Sequence, residues 1–150
     1  MSPGAASFKH EAKDCIQRLT ASLAEAVAQR DPAAINKDLA TAETGIKLCR
    51  MCPFQIGVVD PDGEILARYP EKKGLLNFSG YGFFDQVVKT RKISQQRFFL
   101  QDGSKIYIIA VPLLHEDRLV GIVGFSFDAT EASHRWDLTD KEFLALDFNK

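Results

Sequence analysis

Residues 102–128, DGSKIYIIAVPLLHEDRLVGIVGFSFD, decide the fold. Two apolar stretches, Ser104–Leu114 and Arg118–Asp128, flank the polar turn His115-Glu116-Asp117. In the second stretch Leu119, Gly121, Val123, Phe125 and Phe127 fall on one side of a strand. Val120, Ile122, Gly124, Ser126 and Asp128 fall on the other. Successive side chains of a strand point to opposite faces, and here both faces are partly apolar. The stretch therefore reads as a central strand covered on both sides.

Asp102-Gly103 joins this unit to another strand over Ser94–Gln101, since Asp-Gly is a strong short-range hairpin signal. Ahead of that, Phe83–Thr90 reads as a short helix, and Pro70–Gly82, rich in Gly, Asn and Ser, as a loop. Phe54, Ile56 and Val58 alternate along one strand, and Ile65, Ala67 and Tyr69 along the next. Between them Asp60-Pro61-Asp62-Gly63 makes the turn, with Pro preset at its second position and Gly at its fourth.

Residues 7–50 read as a helical lead-in. Phe8, Ala12, Cys15, Leu19 and Ala26 form one stripe; Ile35, Leu39, Ala42, Ile46 and Cys49 form a second with steps of four and three. Asp31-Pro32 separates them, because Asp suits an N-cap and Pro the first helical position. At the other end Thr139, with Glu142 three residues on, caps a short helix over 139–147. The expected fold is α+β: one domain over 1–150, with two N-terminal helices, a five-stranded antiparallel sheet over 54–128 and a C-terminal helix.

The four strings GVVDPDGEILARYP (57–70), NFSGYGFFDQVVKTRK (77–92), DGSKIYIIAVPLL (102–114) and DRLVGIVGFSFD (117–128) occur in order. Together with the helical lead-in they resemble the single-Cache branch of bacterial extracellular PAS-like sensors. That resemblance implies a pocket between the sheet and the loop-plus-helix segment, holding a small organic ligand. Family members commonly offer an Arg followed by an aromatic pair; here the matching stretch is Tyr81-Gly82-Phe83-Phe84, which implies a more apolar pocket.

Phe78, Tyr81, Phe83 and Phe84 are therefore the expected aromatic lining, beside a Gly-rich loop. Tyr69, Arg97, Tyr107 and Asp128, polar residues on or beside strands, are the expected hydrogen-bonding groups. Asp128 suits a ligand amine, or equally the cap of the segment that follows it. Ordinary core packing is the competing reading for each aromatic ring.

The chain has three cysteines, Cys15, Cys49 and Cys52, and an odd count argues against a fully paired disulfide framework. A hairpin folding near Pro32 would bring Cys15 level with Cys49. Three readings follow: cysteines packing as small hydrophobes, a thiol-based redox pair, or a soft-metal site with His10 as an added ligand. Pro53 after the second Cys argues against covalent haem.

His10, His115 and His134 are scattered, and no G-x-S-x-G, phosphate-binding loop or H-E-x-x-H is present. The sequence thus points to a binding domain without catalysis and without a cofactor. A net charge of −1 and no basic stripe argue against nucleic acid. No apolar run approaches the ~18–20 residues of a membrane span, and no export signal is visible, whereas the resemblance implies an extracytoplasmic setting. The expected partners are a small organic ligand, a second copy through the N-terminal helices, and a separate signalling partner or output domain.

Overall fold

The computed structural model describes residues 2–20, 23–38, 55–69, 82–99 and 102–150. Five strands, β1 (Gln55–Val59), β2 (Ile65–Tyr69), β3 (Ser94–Phe99), β4 (Lys105–His115) and β5 (Arg118–Asp128), form one antiparallel sheet in the order β2-β1-β5-β4-β3. The strand apolar on both faces, β5, lies at the centre, as its pattern requires. Glu116 and Asp117 both adopt positive φ between the paired residues His115 and Arg118, the two-residue turn whose twist suits a hairpin.

The β1–β2 turn is held by one buried side chain. Asp60 Oδ1 accepts from the backbone N–H groups of Asp62 and Glu64, both at 2.9 Å, and Gly63 takes a positive φ of 92°. Arg30 Nη2 reaches Asp60 Oδ2 at 3.5 Å and ties the turn to the N-terminal helices.

The helices are α1 (Pro3–Thr20), α2 (Leu23–Ala28), α3 (32–38), α4 (Gly82–Thr90), α5 (Ala129–Trp136) and α6 (Asp140–Ala145). Helix α1 starts earlier than its apolar stripe suggests, because Ser2 Oγ accepts from Ala5 N at 3.1 Å and Pro3 occupies the first helical position. Asp31 caps α3 as expected, its Oδ1 accepting from Ala33 N and Ala34 N. The rest of the second stripe, Leu39 to Cys49, lies outside the described residues.

The C-terminus departs from expectation, with two helices where one was anticipated. Asp128 Oδ1 accepts from Glu131 N at 3.0 Å and starts α5 directly at the end of β5. A left-handed Asp137 ends α5, and the Thr139–Glu142 capping box then starts α6 as the sequence indicates.

The sheet is covered on both faces, unequally. One face, the helical face, packs Ile56, Val58, Tyr107, Ile109, Val111, Leu113, Val123, Phe125 and Phe127 against buried residues of α1, α2, α3, α5 and α6. Phe8 sits among four rings there, edge-on to Phe127, Trp136, Phe143 and Phe148 at 5.4–6.4 Å. The helices approach so closely that a Cβ on Gly4 would lie 1.7 Å from the Trp136 carbonyl oxygen. The apolar stripe of α1, Ala5, Phe8, Ala12, Cys15 and Ile16, is thus engaged inside the chain. A contact between copies through α1 is left with its exposed flank of Ser7, His10, Gln17 and Arg18. The opposite face carries α4 and a smaller cluster.

Candidate functional site

Parity along the strands decides which residues meet on the α4 face. Gly57 of β1 pairs with Gly124 of β5, Gly124 with Ala110 of β4, and Ala110 with Ser94 of β3. The same row continues to Arg68 of β2, opposite Gly57. Cross-strand partners share a face, so the middle of this face is a floor with no side chain larger than a methyl over three adjacent strands. Glycine inside a strand marks a close approach of something else to the backbone.

Larger apolar residues surround that floor. Ile106, Ile108 and Ile122 are buried with Phe84 and Val87 of α4, and Val88 and Phe98 pack against them. Phe84 faces the sheet because α4 is amphipathic: Phe84 and Val87, three residues apart, are buried while Asp85, Gln86 and Lys89 are exposed. Ser126, one step beyond Gly124 on the same face, is 3% exposed. Its hydroxyl has no hydrogen-bond partner among the described residues. No described side-chain polar atom is both sealed from solvent and unpartnered.

The expected polar groups lie elsewhere. Tyr107 and Arg97 are register partners on the helical face, away from α4. The Tyr107 ring stacks on Phe143 at 3.9 Å, and its hydroxyl donates to Asp140 Oδ1. Arg97 Nη1 donates to Asp140 Oδ2 at 2.8 Å, and Lys105 Nζ lies 2.9 Å from Asp140 Oδ1. Partial burial works to raise the Asp140 pKa, but hydrogen bonds from Tyr107, Lys105 and Arg97 outweigh it and hold the carboxyl at about 2. Burial, reinforced by the Asp140 hydrogen bond and charge, pushes the Tyr107 phenol well above its ordinary value. This cluster fastens α6 to β3 and β4. Gln95 Nε2, donating to the Phe143 and Leu146 carbonyls, does the same along the edge strand.

Asp128 is exposed and serves as the α5 N-cap. Tyr69 stands opposite Ile56 in the β1–β2 register, a row that belongs to the helical face; its side chain is outside the described set. Phe83 lies in α4, its side chain likewise undescribed, and Phe78 and Tyr81 fall outside the described residues. Of the eight expected ligand contacts, Phe84 is the one whose described side chain joins the α4-face cluster.

Cys15 is buried and disulfide-bonded, so it is a cross-link and not a free small hydrophobe. Cys49 and Cys52 lie outside the described residues. Among the described residues no group of three or more His, Cys, Asp or Glu is placed to hold a metal ion. No described helix is long and apolar enough to cross a membrane.

Sequence reasoning missed the floor, Ser126 and Asp140. Gly57 and Gly124, isolated glycines within strongly apolar strands, were the available signal for the floor. Asp140 carried none, because its partners lie 33–43 residues away.

No family model matches the sequence, and no curated protein does. Solved structures do. The ligand-binding domain of the Pseudomonas aeruginosa PAO1 amino-acid chemoreceptor PctC, in complex with GABA, is 14% identical with a TM-score of 0.61, over 88% of this chain and 60% of that one. The ligand-binding domain of the Pseudomonas fluorescens chemoreceptor CtaA, in complex with L-isoleucine, is 15% identical with a TM-score of 0.62, over 87% and 54%. The sensor domain of the Vibrio cholerae histidine kinase DctB is 13% identical with a TM-score of 0.59, over 83% and 49%. The chain spans about half to three-fifths of the length of these structures. At such identities the likeness is one of fold: this chain is built on the α+β architecture of Cache-type sensor domains.

Proposed function

We propose that this domain is a non-enzymatic input module of signal transduction that binds a small organic molecule on the α4 face. The observation that carries the reading is the Gly57–Gly124–Ala110 floor, ringed by Ile106, Ile108, Ile122 and Phe84. A small-molecule site needs concavity, apolar walls and a few polar groups. Small residues in the floor leave room for the first, the ring offers the second, and the Ser126 hydroxyl one of the third. Phe78 and Tyr81, ahead of α4 in the sequence, and Phe83 within it are read with Phe84 as ligand contacts. The PctC and CtaA domains, solved with GABA and L-isoleucine, are folds of this kind holding small organic molecules.

Transmission runs through β5. It carries Gly124 and Ser126 on the α4 face and Val123, Phe125 and Phe127 on the helical face, and it leads directly into α5. A ligand that binds two arrangements of α4 with different affinity shifts the packing of α1 and α5 through this strand. The signal then passes to an output domain or a separate partner.

Thermal denaturation with a metabolite library tests the reading. A ligand at a hundredfold excess over its Kd should stabilise the chain by ~2.7 kcal/mol. Gly124→Val, which raises a branched side chain from the floor, should abolish that shift. A folded Gly124→Val protein that keeps the full shift places the ligand elsewhere.

A further inference from the structure

Helix α4 ends at a corner where three non-glycine residues take left-handed backbone. Arg91, just past Thr90, has a φ of 55°, and Glu116 and Asp117 in the β4–β5 turn have 52° and 62°. Side chains disfavour this conformation, and it persists where the surroundings over-determine it. Here the surroundings are hydrogen bonds. Arg91 N donates to the Val87 carbonyl at 2.8 Å, Arg91 Nη1 to the Asp117 carbonyl at 3.0 Å, and Lys92 N to Thr90 Oγ1 at 3.3 Å. The end of α4 is thus tied to the β4–β5 turn.

Ile93, directly after Lys92, is held from the other side. Asn149 Oδ1 accepts from Ile93 N at 2.8 Å, and Asn149 Nδ2 donates to the Ile93 carbonyl at 3.0 Å. One carboxamide therefore makes both hydrogen bonds that a neighbouring strand would make to this residue, at the start of the edge strand β3. The residues before Asn149 are anchored more deeply. Phe148 is buried edge-on to Phe8, and Gln95 Nε2 holds the Phe143 and Leu146 carbonyls.

Ile93 is thus where the two faces of the sheet meet. Through Arg91 it continues α4, whose Phe84 and Val87 are buried on one face. Through Asn149 it grips a segment whose Phe148 belongs to the cluster on the other. The clasp itself is exposed, so water competes for its two hydrogen bonds and it opens at far less cost than the core. A buried anchor followed by an exposed two-point clasp is the arrangement of a latch.

We infer that the Asn149 carboxamide is a latch coupling α4 to the 146–149 segment: a displacement of α4 pulls on Ile93 and frees the segment, and release of the segment loosens the end of α4. The coupling is reciprocal. It stands whether or not the α4 face binds a ligand; where it does, the latch gives that site a second outlet besides β5.

Residue-resolved hydrogen exchange of the full chain by NMR tests this without any ligand. Asn149→Ala should speed exchange at Ile93 and at the last-turn amides of α4, Val88 to Arg91, by roughly tenfold, the scale of one or two lost hydrogen bonds. Arg91→Gly keeps the left-handed cap and removes the tie to Asp117; it should speed exchange at Leu146 by about as much. Ile109 and Val123, buried in the middle of the sheet, should change less than about twofold in both variants. With Asn149→Ala in place, Arg91→Gly should change Leu146 no further, because the two act through one link. Responses confined to each variant's own surroundings overturn the inference, and so does a further change at Leu146 in the double variant. Equal acceleration at Ile109 and Val123 also overturns it, since that reports lost stability of the whole fold and not an opened latch.

Discussion

The two faces of this sheet are made from the same strands and are filled differently. Ile108 and Ile109 are consecutive and both fully buried, yet one lies over the small-residue floor beside α4 and the other under the helices. On the helical face large rings fill the space and the polar groups find protein partners: Tyr107, Arg97 and Lys105 on Asp140, and Gln95 on two carbonyls. On the α4 face three strands carry Gly, Gly and Ala in one row, with Ser126 one step beyond. The difference teaches that burial alone does not identify a core; how well the burial is filled and paired does.

If the helical face carries the stability, its central ring should be the most costly to lose. Phe8→Ala should destabilise by ~3–5 kcal/mol in urea unfolding, because it empties the space between four rings. A loss below ~1 kcal/mol would mean the two faces are not so different. Next in size is the cross-link at Cys15. Reduction should lower the unfolding free energy by ~2–4 kcal/mol without affecting ligand affinity, since Cys15 belongs to the helical face. Ligand binding that vanishes on reduction would favour a thiol-based sensor instead.

The Asp140 cluster should produce a smaller, pH-dependent effect. Its folded pKa, about 2, lies below the ordinary value of 3.8. The stabilisation is therefore complete above about pH 4 and is lost as pH falls from there through 2, by roughly 1–2 kcal/mol for a partly exposed group. Asp140→Asn should flatten that part of the acid-unfolding profile, and an unchanged profile would remove the cluster from the account. The smallest effect is expected at the seam between the faces. Asp128→Ala should cost ~1 kcal/mol through the lost α5 cap, with ligand affinity intact. A loss of affinity would return Asp128 to the pocket.

Most of the framework was legible in the sequence because it is written locally. The turns at Asp60–Gly63, Asp102-Gly103 and Glu116-Asp117 fix the hairpins, and the two-sided pattern of β5 fixes its central place. Helix α5 falls in a stretch to which the sequence reading assigns no element, although it offers Asp128 as the cap of the segment that follows. The structural roles of the candidate polar residues were not legible in the sequence. Strand parity puts Tyr107 and Gly124 on opposite faces, but nothing local says which face the C-terminal helix will cover. That choice is made by Phe143 stacking on Tyr107, 36 positions apart in sequence, and by Asp140 gathering Arg97, Lys105 and Tyr107. Tertiary pairing therefore decides that Tyr107, Arg97 and Lys105 fasten α6 to the sheet.

Methyl NMR of isoleucine-labelled protein, titrated with the compound giving the largest thermal shift, tests the central claim most directly. The account predicts that the methyls of Ile106, Ile108 and Ile122 move with ligand concentration while those of Ile56 and Ile109 change far less. Shifts centred on Ile56 and Ile109, with Ile108 and Ile122 still, would contradict it.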